Sequence, residues 1–365
     1  MPLPSVIVVG GGAMGSSAAA ELARRGHPVT VLEQHDMLHP YGSSHGSSRI
    51  IRIVYDDPFY VRLAMTARPM WDELQQKADL EVFRRTGSVD HGPRQLLEPF
   101  AAALDEAGAA YEWLTPDEAS RRWPGLRFDE AVLFQPDGGV AHPDNTVTLL
   151  QIAATAHGSE WHTHTEVDAI EETPDGVCVR AGDRTFTADQ VVVTAGVWSD
   201  RLADLPADTA IQVQPSHFVA TDPATPWPTF IHRRADEYGR PMPEAYGLPS
   251  PDGIKIGFHG GGKVVDLNDR DFTLVDEEVD SLRSYVREWV PGVDPETLDA
   301  GTCLYGGLAE DDFIIDRTAR RTVAAGFSGH GFKFVPLVGR MVADLVAGSA
   351  DPEPRFTVSA HRTTT

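Results

Sequence analysis

Cysteine is nearly absent from this chain: Cys178 and Cys303 are the only two among 365 residues. That excludes a disulfide framework and a cysteine-built zinc site, and it fits a reducing compartment. Basic residues are sparse as well, with 31 Lys and Arg facing 54 Asp and Glu for a net charge of −23. A surface of that sign repels phosphate backbones and anionic lipid, so neither nucleic acid nor membrane is an expected partner. Long apolar runs are missing too. Val6–Val9 is far too short for a secretory signal and has no basic run before it. No window approaches the ~20 apolar residues of a membrane span. What is present, 41% hydrophobic and 23% charged residues, is ordinary globular composition at a length that suits two domains. The expectation is a soluble, cytoplasmic protein.

The opening reads as strand, glycine turn, helix and returning strand: Ser5–Val9, Gly10–Gly15, Ser16–Arg25 and Val29–Glu33, with Gly26 as the helix stop. A continuous apolar run followed by an alanine-rich helix suits a buried parallel strand and its crossover. Periodicity predicts further helices at about 60–79, 96–108, 145–157, 277–289 and 335–347. Short strands are predicted around 83–90, 131–134, 176–181, 184–187 and 190–194. A second strand-rich block is predicted at about 211–220, 245–259 and 300–316, while 224–251, rich in proline and charge, reads as loops. No internal repeat and no clean linker divides the chain, which points to interleaved domains.

Gly10-x-Gly12-x-x-Gly15 follows a strand and opens a helix, and Glu33 ends the next strand. Gly10 permits the tight turn, Gly12 lets the backbone approach a pyrophosphate, and Gly15 allows close helix–strand packing. The helix N-terminus adds unpaired N–H groups and a positive dipole end. Glu33 would accept from adenosine ribose hydroxyls and disfavours a 2′-phosphate, so FAD or NAD is preferred to NADP. Choosing between those two needs residues elsewhere. Val191–Trp198 alone is an ordinary buried strand. Thr322–Gly326, then Phe327–Phe334, then a helix from about Val335, forms a second strand–glycine loop–helix unit. Its N–H-rich turn could set a positive dipole end against an electron-accepting ring.

Four motifs then occur in order: Ser43-Ser-His-Gly-Ser-Ser-Arg-Ile-Ile-Arg52, Lys255-Ile-Gly-Phe-His259, Cys303-Leu-Tyr305 with Phe313-Ile-Ile-Asp316, and Gly326-Phe-Ser-Gly-His-Gly-Phe-Lys333. Together they resemble the monomeric sarcosine oxidase family of FAD-dependent amine oxidases, which includes N-methyltryptophan and pipecolate oxidases. The resemblance spans essentially the whole chain. It implies an α/β (α+β) fold like that of D-amino-acid oxidase, a Rossmann-like FAD-binding domain interleaved with a substrate domain built on a mixed or antiparallel sheet. The FAD-binding domain is expected over 1–80, 137–210 and 311–365, and the catalytic domain over 81–136 and 211–310. The implied reaction oxidises a secondary amine of an amino acid to an imine and reduces O2 to hydrogen peroxide, carried out by a monomer.

The resemblance also assigns roles. Cofactor contacts are implied for Gly10, Gly12, Ala13, Met14, Gly15, Glu33, Ser43, Ser48, Arg49, Val167, Gly329, Gly331, Phe332 and Lys333. Cys303 matches the position that forms a thioether to the flavin 8α-methyl, where nearby positive charge would favour the attacking thiolate. An intracellular cysteine is most often a small buried hydrophobe, and Cys178, between Val177 and Val179, fits that ordinary reading. Period-two alternation places Lys255, Gly257 and His259 on one sheet face, with Gly257 leaving room for a flat ring. Lys255 alone could be the solvent side of an edge strand. The resemblance implies instead a position near flavin N5, where it supplies positive charge for electron transfer to O2. Arg52 and Lys333 are the implied partners of the substrate carboxylate, a use that suits the planar, always-charged guanidinium. Read alone, Lys333 could snorkel from a helix end. Arg49 and His45 are implied against the flavin on the oxygen-reacting side. His259, Tyr55, Tyr246, Tyr305 and His330 match positions around the substrate, though each taken alone is ordinary core.

Two departures leave the substrate side chain open. His232–Met242 is more polar than the resemblance leads one to expect near the pocket entrance, and the interval from Tyr246 to Lys255 is shorter. The pairs His35/His39 and His162/His164 have no third ligand nearby, so no metal is expected. The reading is therefore an FAD oxidase of a small N-alkyl or cyclic secondary amino acid, with FAD attached through Cys303. The alternatives are a flavin dehydrogenase using another electron acceptor, or an NAD-binding dehydrogenase or nucleotide-sensing protein.

Overall fold

A computed structural model describes residues 2–206, 209–236, 238–267, 269–307 and 312–362. The chain folds into two compact units, one built from Met1–Gly46, Pro143–Ile211 and Leu304–Thr365, the other from Ser47–His142 and Gln212–Cys303. These breaks differ from those expected. Residues 47–80 belong to the second unit because Arg49–Ile51 pairs antiparallel with Gly139–Ala141, and helix Pro58–Gln76 packs on helix Arg94–Ala107. The first pairing also draws 137–142 into that unit.

The first unit is organised on a six-stranded sheet. Its order is Ile314–Thr318, Arg321–Ala325, Gln190–Val193, Val6–Val9, Val29–Leu32, Glu160–His162. All neighbours are parallel except the antiparallel outer pair 314–318/321–325. Val6–Val9 is buried throughout, as its unbroken apolar run requires of a parallel strand covered on both faces. Helix Ala13–Arg24 packs on helices Pro143–Ala156 and Val335–Ala347, and its small residues Ala18, Ala19 and Ala20 are buried. An antiparallel meander, Ala169–Thr173, Gly176–Ala181 and Arg184–Ala188, adds Val177 and Val179 to the core of Ile7, Val9, Leu32 and Val191. Cys178 alternates with those valines and is only half-buried, so it is not the buried hydrophobe expected.

The second unit carries an eight-stranded mixed sheet. Its order is Val293–Ala300, Ser216–Ala220, Gly253–His259, Glu244–Ser250, Thr229–His232, Ser88–Gly92, Ala131–Gln135, Glu112–Leu114. Only 229–232 and 88–92 run parallel. Thr229–His232 corrects the expectation of loops across 224–251. Its four residues are all buried, with Phe230 at the centre of a core that includes Val89, Phe218, Ile256 and Tyr285. The proline-rich flanks hid a strand too short to show alternation. Helix Pro116–Arg122 starts on a full capping box, Thr115 with Glu118, and helix Pro58–Gln76 starts on Asp57, which accepts from Phe59 N.

Candidate active site

In the first unit the glycine turn leaves little space for side chains. Gly10 has φ +97°, and a Cβ there would lie 2.5 Å from Thr194 O. A Cβ on Gly15 would run into Gly10 O. Gly12 precedes helix Ala13–Arg24 with no side-chain cap, so the first turn is left to backbone donors. Ala13 N donates to Ser44 Oγ at 2.9 Å. Ala13 is buried and Met14 half-buried beside it. Ser44 thus reaches the turn, and the expected Ser43 beside it is exposed.

Glu33, 5% exposed, accepts from Gly11 N at 2.8 Å and His35 N at 2.9 Å, and lies 3.4 Å from His39 Nε2. Burial pushes its carboxyl up, but the His39 contact and the two backbone N–H groups outweigh that and hold it below its ordinary value. The His35 ring lies 4.6 Å from both the His39 and Tyr41 rings, making a small aromatic surface beside the carboxylate. Val167 packs against the apolar core of this unit.

The second glycine loop follows Arg321–Ala325. Gly329 has φ +75°, and the Tyr305 ring lies 2.9 Å from where its Cβ would be. Gly331 would clash with Phe327 if it carried a side chain. Half-buried Phe332 opens a short 3-10 turn, Phe332–Phe334, leading into helix Val335–Ala347. Lys333 is 7% exposed and donates to His330 O at 2.7 Å, while the His330 ring packs 4.7 Å from Phe313. His45, half-buried, lies near the end of this unit's first segment.

The second unit concentrates charge around Cys303. Lys255 lies on a central strand, not an edge, opposite His217 on one side and Leu248 on the other, and is 8% exposed. Burial lowers its pKa to about 8, with Arg49 adding repulsion and Cys303 and Asp252 partly opposing. Arg49 Nη2 lies 3.5 Å from Cys303 Sγ, and its Nη1 donates to Ser48 O at 2.8 Å. Arg270 donates to Thr302 Oγ1 at 3.1 Å and Gln212 Oε1 at 2.8 Å, one residue from Cys303. Ser48 is buried, with no partner for its hydroxyl oxygen among the described residues. The space over Gly257 is not free for an added ring. Its Cβ position lies 2.8 Å from Tyr246 Oη, on the cross-strand neighbour. His259, at the end of the same strand, is exposed.

Arg52 has different partners from Arg49. Its Nη1 donates to Val54 O at 2.7 Å and to Asp90 Oδ1 at 3.3 Å, and its guanidinium lies 5.6 Å from the Tyr55 ring centre. Tyr55 stacks in turn on Tyr60 at 5.2 Å. Among the described residues no group of three or more His, Cys, Asp or Glu is placed to hold a metal ion, and no helix is long and apolar enough to cross a membrane.

The profile of the FAD dependent oxidoreductases matches residues 5–345. The chain belongs to the FAD dependent oxidoreductase family. It is 35% identical over 374 residues to the monomeric sarcosine oxidase of Streptomyces avermitilis, with 97% of this chain and 96% of that protein covered. Identity to the monomeric sarcosine oxidase of Bacillus sp. (strain B-0618) is 32% over 364 residues, covering 93% and 91%. N-methyl-L-tryptophan oxidase of Salmonella arizonae is 28% identical over 372 residues, covering 98% and 97%. Among solved structures, the open form of NikD, an unusual amino acid oxidase essential for nikkomycin biosynthesis, matches with TM-score 0.84, 25% identity and 98% coverage of both chains.

The first unit of this FAD dependent oxidoreductase fits a dinucleotide. The helix start, where Gly12 supplies no side-chain cap, the glycines that exclude Cβ atoms and the carboxylate of Glu33 supply the donors, the close approach and the ribose acceptor that FAD requires. Sequence reasoning missed Ser44, which the stretch Ser43-Ser-His-Gly-Ser-Ser48 offered no better than Ser43. It also missed Arg270, Asp90 and Arg233, which stand in no motif.

Proposed function

We propose that this chain is an FAD-dependent oxidase of the C–N bond of a small secondary amino acid, sarcosine-like or cyclic, yielding an imine and hydrogen peroxide. The observation that carries the reading is the pair of cations, buried Lys255 and half-buried Arg49, at Cys303. Burying an ammonium is unfavourable, and a lysine so perturbed beside a thiol fits a functional site. FAD, when bound, supplies the acceptor of the two electrons leaving the amine and passes them to O2. Lys255 holds positive charge where negative charge develops on dioxygen. Arg49 stands beside the Cys303 sulfur, the atom that would form the thioether to the flavin. Arg52 and Lys333 each present a cation for the substrate carboxylate, and Tyr55 and Tyr246 supply apolar walls with polar tips. Gly10, Gly12, Gly15 and Glu33 hold the dinucleotide. The monomeric, cytoplasmic state belongs to the same proposal.

The test is a panel of N-methyl and cyclic amino acids assayed by peroxide release. Turnover of sarcosine or a close homologue with peroxide supports the reading. Flavin bleaching by the same compounds without peroxide in air would make the chain a dehydrogenase.

A further inference from the structure

Arg52 is held by one nitrogen only. Its Nη1 carries both contacts, to Val54 O and Asp90 Oδ1, while among the described residues Nε and Nη2 bond to no protein group. Asp90 is fully buried on Ser88–Gly92, inside the eight-stranded sheet. The same Oδ1 accepts from Arg233 Nη2 at 3.1 Å. Arg233 is itself buried, paired through Nη1 with Glu244, and its guanidinium lies 3.6 Å from the Phe100 ring centre. Strand register builds the arrangement: Asp90 opposes Ile231 and His91 opposes His232, and Arg233 N then donates to His91 O at 2.8 Å.

Stability alone does not select a buried carboxylate between two arginines, because apolar residues of similar volume often serve at least as well. We infer that Asp90 is the positioning residue for Arg52, and that Arg233 is the counter-cation that keeps Asp90 from neutralising it. The inference rests on the reading of Arg52 as a carboxylate partner. With Asp90 alone, Arg52 would form a closed ion pair and a ligand carboxylate would have to compete for it. Arg233 shares the same oxygen, and Glu244 balances Arg233 in turn. Arg52 is left with a fixed plane and an open Nε–Nη2 edge, whose two parallel N–H groups match the two oxygens of a carboxylate. An arginine already fixed loses less freedom when the ligand arrives.

The experiment measures the Kd of (methylthio)acetate by flavin absorbance titration of the purified holoenzyme. Asp90→Ala should weaken binding by about tenfold or more. Asp90→Asn, whose amide oxygen still accepts from Nη1, should stay within about threefold of the parent. Arg52→Ala with Asp90→Ala should be no weaker than Arg52→Ala alone, the non-additivity expected of residues that act as one unit. A sheet-stability role would lower the unfolding temperature in the Asp90 variants and leave these Kd relations unmoved. Affinity within about threefold for Asp90→Ala, or full additivity with Arg52→Ala, overturns the inference. If Arg52→Ala itself leaves Kd unchanged, the reading of Arg52 fails first. Should Asp90→Ala not fold, Asp90→Ser, too short to reach Nη1, carries the same expectation and the same refutation.

Discussion

Replacing Lys255 by Met should separate the two halves of the reaction. Lys255 is buried and its pKa lies at about 8 instead of the ordinary 10.5, through burial first and Arg49 second. At pH 7 about nine in ten of these side chains are then charged, and at pH 9 about one in ten. A unit charge ~4 Å from a developing charge is worth about 4 kcal/mol at an effective dielectric of ~20. Only part of that charge develops in the transition state, so a loss of about 10²-fold or more in reoxidation is the expectation for Lys255→Met. Stopped-flow mixing of reduced enzyme with O2 measures it directly. The parent rate should fall as pH rises through about 8, and the Met variant should show no such step. Anaerobic reduction by substrate should change far less. Linkage adds a second readout. Between about pH 8 and pH 10.5 the unfolded chain binds more protons than the folded one, so the parent gains stability as pH rises through that window. At neutral pH the buried charge costs roughly 3 kcal/mol, and Lys255→Met should resist urea better there by up to that amount. A parent reoxidation rate flat from pH 6 to 10, with a Met variant slowed less than about threefold, would rule out Lys255 as the charge that serves O2.

Other substitutions probe the remaining roles. Acid-precipitated parent protein should stay yellow, whereas Cys303→Ser should release its flavin into the supernatant; a white parent pellet would remove the thioether. Arg52→Ala and Lys333→Ala should each raise the Kd of (methylthio)acetate by about tenfold or more, read by flavin absorbance, and unchanged values in both would point to a plain amine substrate. Gly15→Ala, whose Cβ would meet Gly10 O, should yield protein with little bound FAD, seen as a low ratio of flavin to protein absorbance. His232 is buried with its pKa lowered to about 3, by burial first and then by Arg234, so it stays neutral in the fold. The His232 contribution to urea-unfolding stability should therefore be fully present above pH 6.5 and be lost as pH falls towards 3, and His232→Asn should lessen the decline over that range.

Much of this molecule was legible because local signals agree with the fold. The run Val6–Val9, the glycine turn and the alanine-rich helix each demand the same buried crossover, and the structure shows it. The helices at Pro58–Gln76, Asp276–Trp289 and Val335–Ala347 follow their apolar periods closely. Thr229–His232 was hidden because four wholly buried residues carry no alternation, and its identity as a strand comes from pairing with residues far away in sequence. The same long-range pairing conceals Asp90 and Arg233, which meet only when 88–92 and 229–232 are laid side by side. The spacing of Gly257 leaves room for a ring, and the ring that takes it belongs to Tyr246 on the neighbouring strand. Periodicity says which face a residue occupies and nothing about what the next strand brings to that face.

As an oxidase of a sarcosine-like amino acid, this FAD dependent oxidoreductase should consume one O2 for each C–N bond it oxidises. An oxygen-electrode measurement with sarcosine, coupled to peroxide and formaldehyde determination on the purified yellow protein, tests it most directly. Equal amounts of O2 consumed, peroxide formed and formaldehyde released are the expected result. A purified protein without flavin absorption, or substrate-dependent flavin bleaching that persists in air without O2 uptake, would contradict it.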